Sequence, residues 1–257
     1  MPAVRRKSFR ELFGLPPAPK TGRERLVTAA IELFYSYGFG AIGIDQVIAQ
    51  AGVTKTTFYK HFDSKDDLMV AAVERRDEWE AAAWDRAVRK LAGDDPAKML
   101  LAAVDVIDAW FNDPDFHGCM FLNSAAEFPS PHHPVHRVAA AHRKRAREYR
   151  RDLALAAGAD AKAAEAFADC YTALIEGALI MRQTDGRNDA ARVVRPGDAL
   201  ASPPWARLRC HRGSLLPVAL EDVKEAVSCR RWSLVVIGRS RTQPRGGKSS
   251  RKRMRGR

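Results

Sequence analysis

The chain has 257 residues, of which 46% are hydrophobic and 29% charged, with a formal net charge of +12. That length accommodates one or two cores, no apolar run approaches the ~20 residues of a membrane span, and the N-terminus lacks the apolar stretch of a secretory signal. A membrane or secreted protein is therefore excluded from the reading, and the cytoplasm is the expected location. Cys119, Cys170, Cys210 and Cys229 show no CxxC spacing, so they read as reduced thiols and not as a zinc site or a disulfide framework.

The positive charge is unevenly placed. Residues 1–195 hold 28 Lys and Arg against 27 Asp and Glu, whereas residues 196–257 hold 15 against 4. Residues 1–62 hold 9 against 4, a local excess that suits contact with phosphates. Residues 1–20 form a basic leader with Arg5, Arg6, Lys7 and Arg10. It reads as disordered, because Pro16, Pro17 and Pro19 break a continuous path into the first helix; the other reading is an arm reaching a minor groove.

Leu26, Ala29, Ala30, Leu33, Phe34 and Tyr37 then make an apolar stripe at helical spacing, which Gly38 stops. Ile44, Val47, Ile48 and Ala51 form the buried face of a second helix. Gly52 is suited to the positive φ that ends it, Val53 packs under the turn, and Thr54 caps a third helix. Phe58 and Phe62 anchor that helix inward, leaving Lys55, Thr56, Thr57, Tyr59, Lys60 and His61 largely outward. Residues 43–62 thus have the layout of a helix-turn-helix, whose second helix enters a DNA major groove. Outward hydroxyls and amines bond phosphate oxygens and base edges. Lys55, Thr56 and Thr57 are assigned to bases; Thr54, Tyr59, Lys60, His61 and Lys65 are assigned to phosphates. Ser64, with Asp67 three residues on, opens a fourth helix to about Leu91.

Downstream the pattern stays helical. Asp95-Pro96 opens a helix carrying Leu100, Leu101, Val104, Ile107, Trp110 and Phe111, which closes at Asp113-Pro114. Further helices are expected from Gly118 to Phe128, from Pro134 to Ala157 and from Ala161 to Thr184, with another starting at Asn188. After Arg195 the chain changes character. Pro196-Gly197 and Pro203-Pro204 break the helix, Glu221 to Ile237 has the pattern of a short helix and strand, and the end is basic and poor in apolar residues. Residues 196–257 therefore read either as a disordered tail adding nonspecific DNA affinity or as the product of a shifted or extended reading frame near residue 196. His117, His132, His133, His136 and His142 cluster within 26 residues, without the cysteine or carboxylate spacing of a metal site. No catalytic motif, cofactor fingerprint or metal set is found.

The segments LFYSYGF (Leu33 to Phe39), AGVTKTTFYKHF (Ala51 to Phe62) and SKDDL (Ser64 to Leu68) together resemble the DNA-binding domain of the TetR/AcrR (tetracycline-repressor-like) transcriptional regulators. GCMFLNSAAEF followed by HPVH (Gly118 to His136) is similar to its second half, more loosely. The resemblance implies DNA contacts from Thr54, Lys55, Thr57 and Tyr59, and a phosphate contact from Lys65. It departs at Gly43, which has no hydroxyl where a Thr or Ser usually caps the second helix and meets a phosphate, and at Ile48, which stands in place of a small residue. The fold expected is all-α: a three-helix DNA-binding domain over 21–80, a helical ligand-binding and dimerisation domain over 81–195, and the atypical tail. The function expected is a sequence-specific regulator, most often a repressor, that binds a palindromic double-stranded operator as a homodimer and is released by a small-molecule effector. The altered C-terminus is expected to weaken that dimer. Trp84, Trp110, Phe111, Phe116, Met120 and Phe121 are the candidate pocket residues. The rival reading is a helical small-molecule or metal-binding protein whose tail alone gives nonspecific nucleic-acid affinity.

Overall fold

The computed structural model describes residues 7–193. Arg5, Arg6 and everything expected of the tail after residue 193, including Cys210, Cys229 and the segment from Glu221 to Ile237, lie outside the described residues.

The described chain is helical throughout, with no strand among the described residues. Over residues 9–13 the chain is helical where the leader was expected to be disordered. Phe9–Phe13 form a short helix, α1. Ser8 and Glu11 close a reciprocal capping box over its first turn, and Leu12 and Phe13 are buried. An apolar face with its own cap outweighs the prolines, which fall only in the exposed connector behind it. Arg10 pairs with Asp115 at 2.5 Å, and Lys90 Nζ donates to the Glu11 carbonyl at 2.6 Å.

The three helices of the expected DNA-binding domain, hereafter the reader, follow as α2 (Gly22–Tyr37), α3 (Ile44–Ala51) and α4 (Lys55–His61). A second capping box, Thr21 with Glu24, starts α2. Its apolar stripe ends at Phe34: Tyr37, expected inward, is 67% exposed. Phe39 takes the inward place instead, stacked on Phe34 with centroids 4.8 Å apart, because the chain turns at Gly38 (φ 84°). The long helix α5 (Lys65–Ala92) leaves the reader and runs through the second half. There it packs against α6 (Pro96–Phe111), α8 (Pro134–Ala156) and α1. The short α7 (Met120–Glu127) lies on α8, which pairs with α9 (Ala161–Asp185); α10 (Ala190–Val193) rests on α6 and α9. These helices start and stop within two residues of the sequence expectation, since Asp95-Pro96, His133-Pro134 and Asp160 cap their starts and Gly93, Gly158 and Gly186 follow their ends.

Three apolar clusters hold the chain together. One fills the reader and continues through Met120, Phe121, Val135 and Ala139. Another joins α6, α9 and α10, and a third joins α1, α5 and α6. The reader is also tied by polar contacts. The Glu127 carboxylate accepts from the Phe39 and Gly40 amides at 3.0 and 2.9 Å, and Tyr35 Oη accepts from the His117 amide at 3.1 Å.

Candidate nucleic-acid interface and helical cavity

The turn between α3 and α4 is built as the sequence requires. Gly52 sits in the left-handed region (φ 61°, ψ 40°), and the Val53 amide donates back to the Ile48 carbonyl at 3.3 Å. Thr54 caps α4, its Oγ1 accepting from the Thr57 amide at 3.1 Å. Phe58 is fully buried and Phe62 nearly so, so the helix presents a single outer face.

On that face Lys55, Thr56, Tyr59 and Lys60 line one shallow surface concavity. Tyr59 is 53% exposed, with its ring edge-on to Phe58 at 5.1 Å. Lys55 lies 3.4 Å from Asp45, a pair exposed on both sides and therefore weak enough to yield to a phosphate. His61 is exposed at the last turn. Thr57 is placed differently from Lys55 and Thr56. It is half-buried, its hydroxyl is 2.9 Å from that of Thr54, and its methyl group faces Gly22 at the start of α2. Lys65 Nζ donates to the Phe39 carbonyl at 2.6 Å, and an ammonium keeps two further donors beyond such a bond. Gly43 caps α3 without a side-chain bond; the Gln46 side chain reaches back to its amide at 2.7 Å.

Two basic residues that motif reasoning passed over border this face. Arg23 lies over the Phe62 ring at 5.2 Å, and the Arg25 guanidinium lies 3.5 Å from the Gly52 carbonyl. Their signal was the basic cluster around the Thr21 capping box.

The second half encloses a cavity of about 290 Å³ between α5, α6, α8 and α9. Of the six aromatic and methionine candidates, only Trp84 and Trp110 line it. Phe111, Met120 and Phe121 are corrected to core, 0–3% exposed. Phe111 closes the end of α6 against α9, and Phe121 stacks on His142 with centroids 3.5 Å apart. Phe116 lines a separate surface cleft near Tyr35 and Gly38. Polar residues of the cavity wall that the aromatic criterion missed include Asp77, His142, Tyr149, Arg150 and Tyr171. The period of α8 could have found part of this wall, since His142, Arg145 and Tyr149 recur at three- and four-residue steps. Burial pushes the Tyr149 hydroxyl up to about 12, aided by the Asp85 charge, and raises that of Tyr171 further.

The clustered histidines act locally. His133 Nδ1 accepts from the Val135 amide, His136 Nδ1 is 2.7 Å from the Phe128 carbonyl, and His142 Nδ1 is 2.7 Å from Asp77. Among the described residues no three His, Cys, Asp or Glu side chains gather in a way that could hold a metal ion, and no helix is long and apolar enough to cross a membrane.

Comparison with known proteins adds to this geometry. Residues 26–72 match the family described as bacterial regulatory proteins, tetR family, and residues 96–197 match the tetracyclin repressor-like C-terminal domain. A crystal structure of a TetR-family transcriptional regulator from Streptomyces coelicolor is 31% identical, with a TM-score of 0.62 over 68% of this chain and 91% of that one. The HTH-type transcriptional activator FasR of Mycolicibacterium smegmatis is 42% identical over 53 residues, 21% of this chain. That match spans about a quarter of FasR (24%). The HTH-type transcriptional regulator LmrA of Bacillus subtilis is 26% identical over 171 residues, 63% of this chain and 86% of LmrA.

Proposed function

Since the chain belongs to the tetR family of bacterial regulatory proteins, non-enzymatic DNA-binding transcriptional regulators, we propose that it is a cytoplasmic repressor. In this reading it binds a palindromic operator as a homodimer, with α4 in the major groove, and leaves that operator when a small molecule fills the cavity. The observation that carries the DNA reading is the division of α4. Phe58 and Phe62 are buried behind it, while Lys55, Thr56, Tyr59 and Lys60 share one outer surface. Lys55 and Thr56 serve the bases, Tyr59, Lys60 and His61 the phosphates. Thr54 and Thr57 hold the first turn of α4 through their paired hydroxyls, and Lys65 holds the α2–α3 loop while reaching the backbone. Release requires an effector that binds one conformation better than the other. The contacts of Glu127 with the Phe39 and Gly40 amides and of His117 with Tyr35, from the second half to the reader, support a path for such a bias.

The test is selection of the full chain on a random-sequence duplex library at two salt concentrations, beside a chain ending at Arg195. Both should enrich one palindrome. Binding by the full chain alone, without sequence preference, would assign the affinity to the tail and end this reading.

A further inference from the structure

The charged and hydroxyl groups of the cavity wall are mostly paired with a carboxylate, a cation or a carbonyl. On α5, Asp77 is shared between His142 Nδ1 at 2.7 Å and Arg145, and Glu80 is held by Arg76 Nε at 2.8 Å. Tyr149 Oη donates to Asp85 at 3.2 Å, and Tyr171 Oη donates to the Leu100 carbonyl at 2.8 Å. Arg150 differs. It lines the cavity, but among the described residues its guanidinium donates only to the neutral Thr172 hydroxyl, at 3.2 Å, and lies 5.8 Å from the Tyr171 ring centroid. It has no ion pair among the described residues. Glu176, the carboxylate nearest in effect, is bound to Arg143 at 2.5 Å.

A guanidinium offers five donors in a planar fork, and most of these are unused here. Desolvation lowers the pKa of Arg150, and the Arg143 charge adds to the shift. A half-buried cation without a counter-ion is costly to the folded protein unless something else supplies the charge. The rest of the wall is mostly apolar, with Trp84, Trp110 and Ile107 among its members.

Resting on the reading that this cavity holds an effector, we infer that the effector is a singly charged organic anion. It is an aryl or acyl carboxylate whose charged end is taken by Arg150 and whose apolar body fills the space beside Trp84 and Trp110. A carboxylate matches the fork in bidentate fashion. A phosphate dianion would call for a second free cation, and Arg143 and Arg145 are already committed to Glu176 and Asp77. At about 290 Å³ the space lies just below the ~300–1,000 Å³ usual for ligand sites, which favours a compact molecule.

The experiment uses the full chain and three probe sets: 3-phenylpropanoate, 4-phenylbutanoate and octanoate, each beside its primary amide and its amine. Binding is read by calorimetry and by tryptophan fluorescence. At least one carboxylate should bind roughly tenfold or more tighter than its amide, the worth of a charge-assisted bond, and the amines should be weakest. In Arg150→Met that preference should fall to about twofold or less, while Arg150→Lys should keep part of it. Ligand-free Arg150→Met should melt above the wild type, because it removes the uncompensated charge. An amide or amine binding as well as its carboxylate would overturn the inference. So would failure of all three carboxylates to bind by ~10 mM, or an Arg150→Met protein that keeps the tenfold preference. Operator binding by the wild type, read with each probe, separates the two readings. Carboxylates that bind through Arg150 without altering DNA binding would leave the anion site standing and end the effector reading. Neutral ligands that release DNA where carboxylates do not would do the opposite.

Discussion

Lys60 and Thr56 lie side by side on the outer surface of α4, yet they should fail differently. In the proposed function Lys60 serves DNA as a charge, so Lys60→Ala should weaken binding to every duplex alike and lower the slope of log affinity against log salt by about 1. Thr56→Ala should instead relax preference at one base pair, by roughly tenfold, with the slope intact. Equal losses on specific and random duplexes for both variants would contradict these roles. Thr57 shows why residue type is an incomplete guide. A threonine in the first turn of a recognition helix reads as a base contact, but the same hydroxyl can close on the cap, as it does here at 2.9 Å from Thr54. Cys119 makes a parallel case in the second half. It is partly accessible, but what it faces is the cavity. Burial, with the Glu80 charge second, pushes its thiol from the ordinary 9.0 up to about 11. The neutral thiol is therefore favoured by folding. That contribution is complete below pH 9 and is lost as pH rises toward about 11. Over that window the melting temperature of the wild type should fall more steeply than that of Cys119→Ala. At pH 8 iodoacetamide should label Cys119 more slowly than Cys170, read peptide by peptide by mass spectrometry; equal rates would show that the thiol is not held neutral.

The elements themselves were largely legible, and the reason is local chemistry. Gly52, Thr54 and Asp95-Pro96 are caps whose partners lie within four residues, so no knowledge of the fold was needed to place them. What escaped were features settled by distant partners. α1 is one turn of helix, too short to persist by itself, and it exists because Phe13 packs edge-on to Trp79 and Trp84 at 5.7 and 6.1 Å. Phe13→Ala should cost about 3–5 kcal/mol, and its denaturant midpoint measures this; a change within error would show that α1 is an ornament on the bundle. The same limit explains the pocket. Aromatic character flags Phe111 and Phe121, but only the packing of α7 and α9 reveals that both are core. Glu127 is a further long-range case, 88 residues from the Phe39 amide that it accepts from. Glu127→Gln keeps the shape but removes the charge and half the acceptor capacity, so the loop before α3 should loosen. Operator affinity should fall about tenfold, as expected for a charge-assisted pair. Phe58 should remain buried and the melting temperature little changed. A large loss of stability would make Glu127 a structural residue and not a link between the two halves.

At the scale of the whole molecule, the proposed binding of a palindrome as a homodimer requires two readers to stand about 34 Å apart, one DNA turn. A single α4 contacts one half-site, which leaves most of the specificity of a palindrome unused. The outer face of α9 offers the means. Leu174 and Ile180 are 46% and 52% exposed, Ala173 lies exposed beside them, and Gly177 has open space where a side chain would stand. An apolar, shallow stripe of this kind costs solvation when left in water, and a second copy of the same helix would cover it around a two-fold axis. Periodicity in the sequence separates apolar from polar faces but cannot distinguish a core from an interface, so it does not tell Leu174 from its buried neighbour Ile175. The paired change Leu174→Glu with Ile180→Glu puts like charges across such an axis. It should convert the protein to a monomer at concentrations where the wild type sediments as a dimer, and its affinity for the selected palindrome should fall toward that for a single half-site. The fold of each chain should be unaffected, because neither residue contributes to the buried core of the second half. A variant that still sediments as a dimer would move the interface elsewhere on the molecule. A monomer that still selects the full palindrome would mean that dimerisation happens on the DNA, where each reader raises the effective concentration of the other.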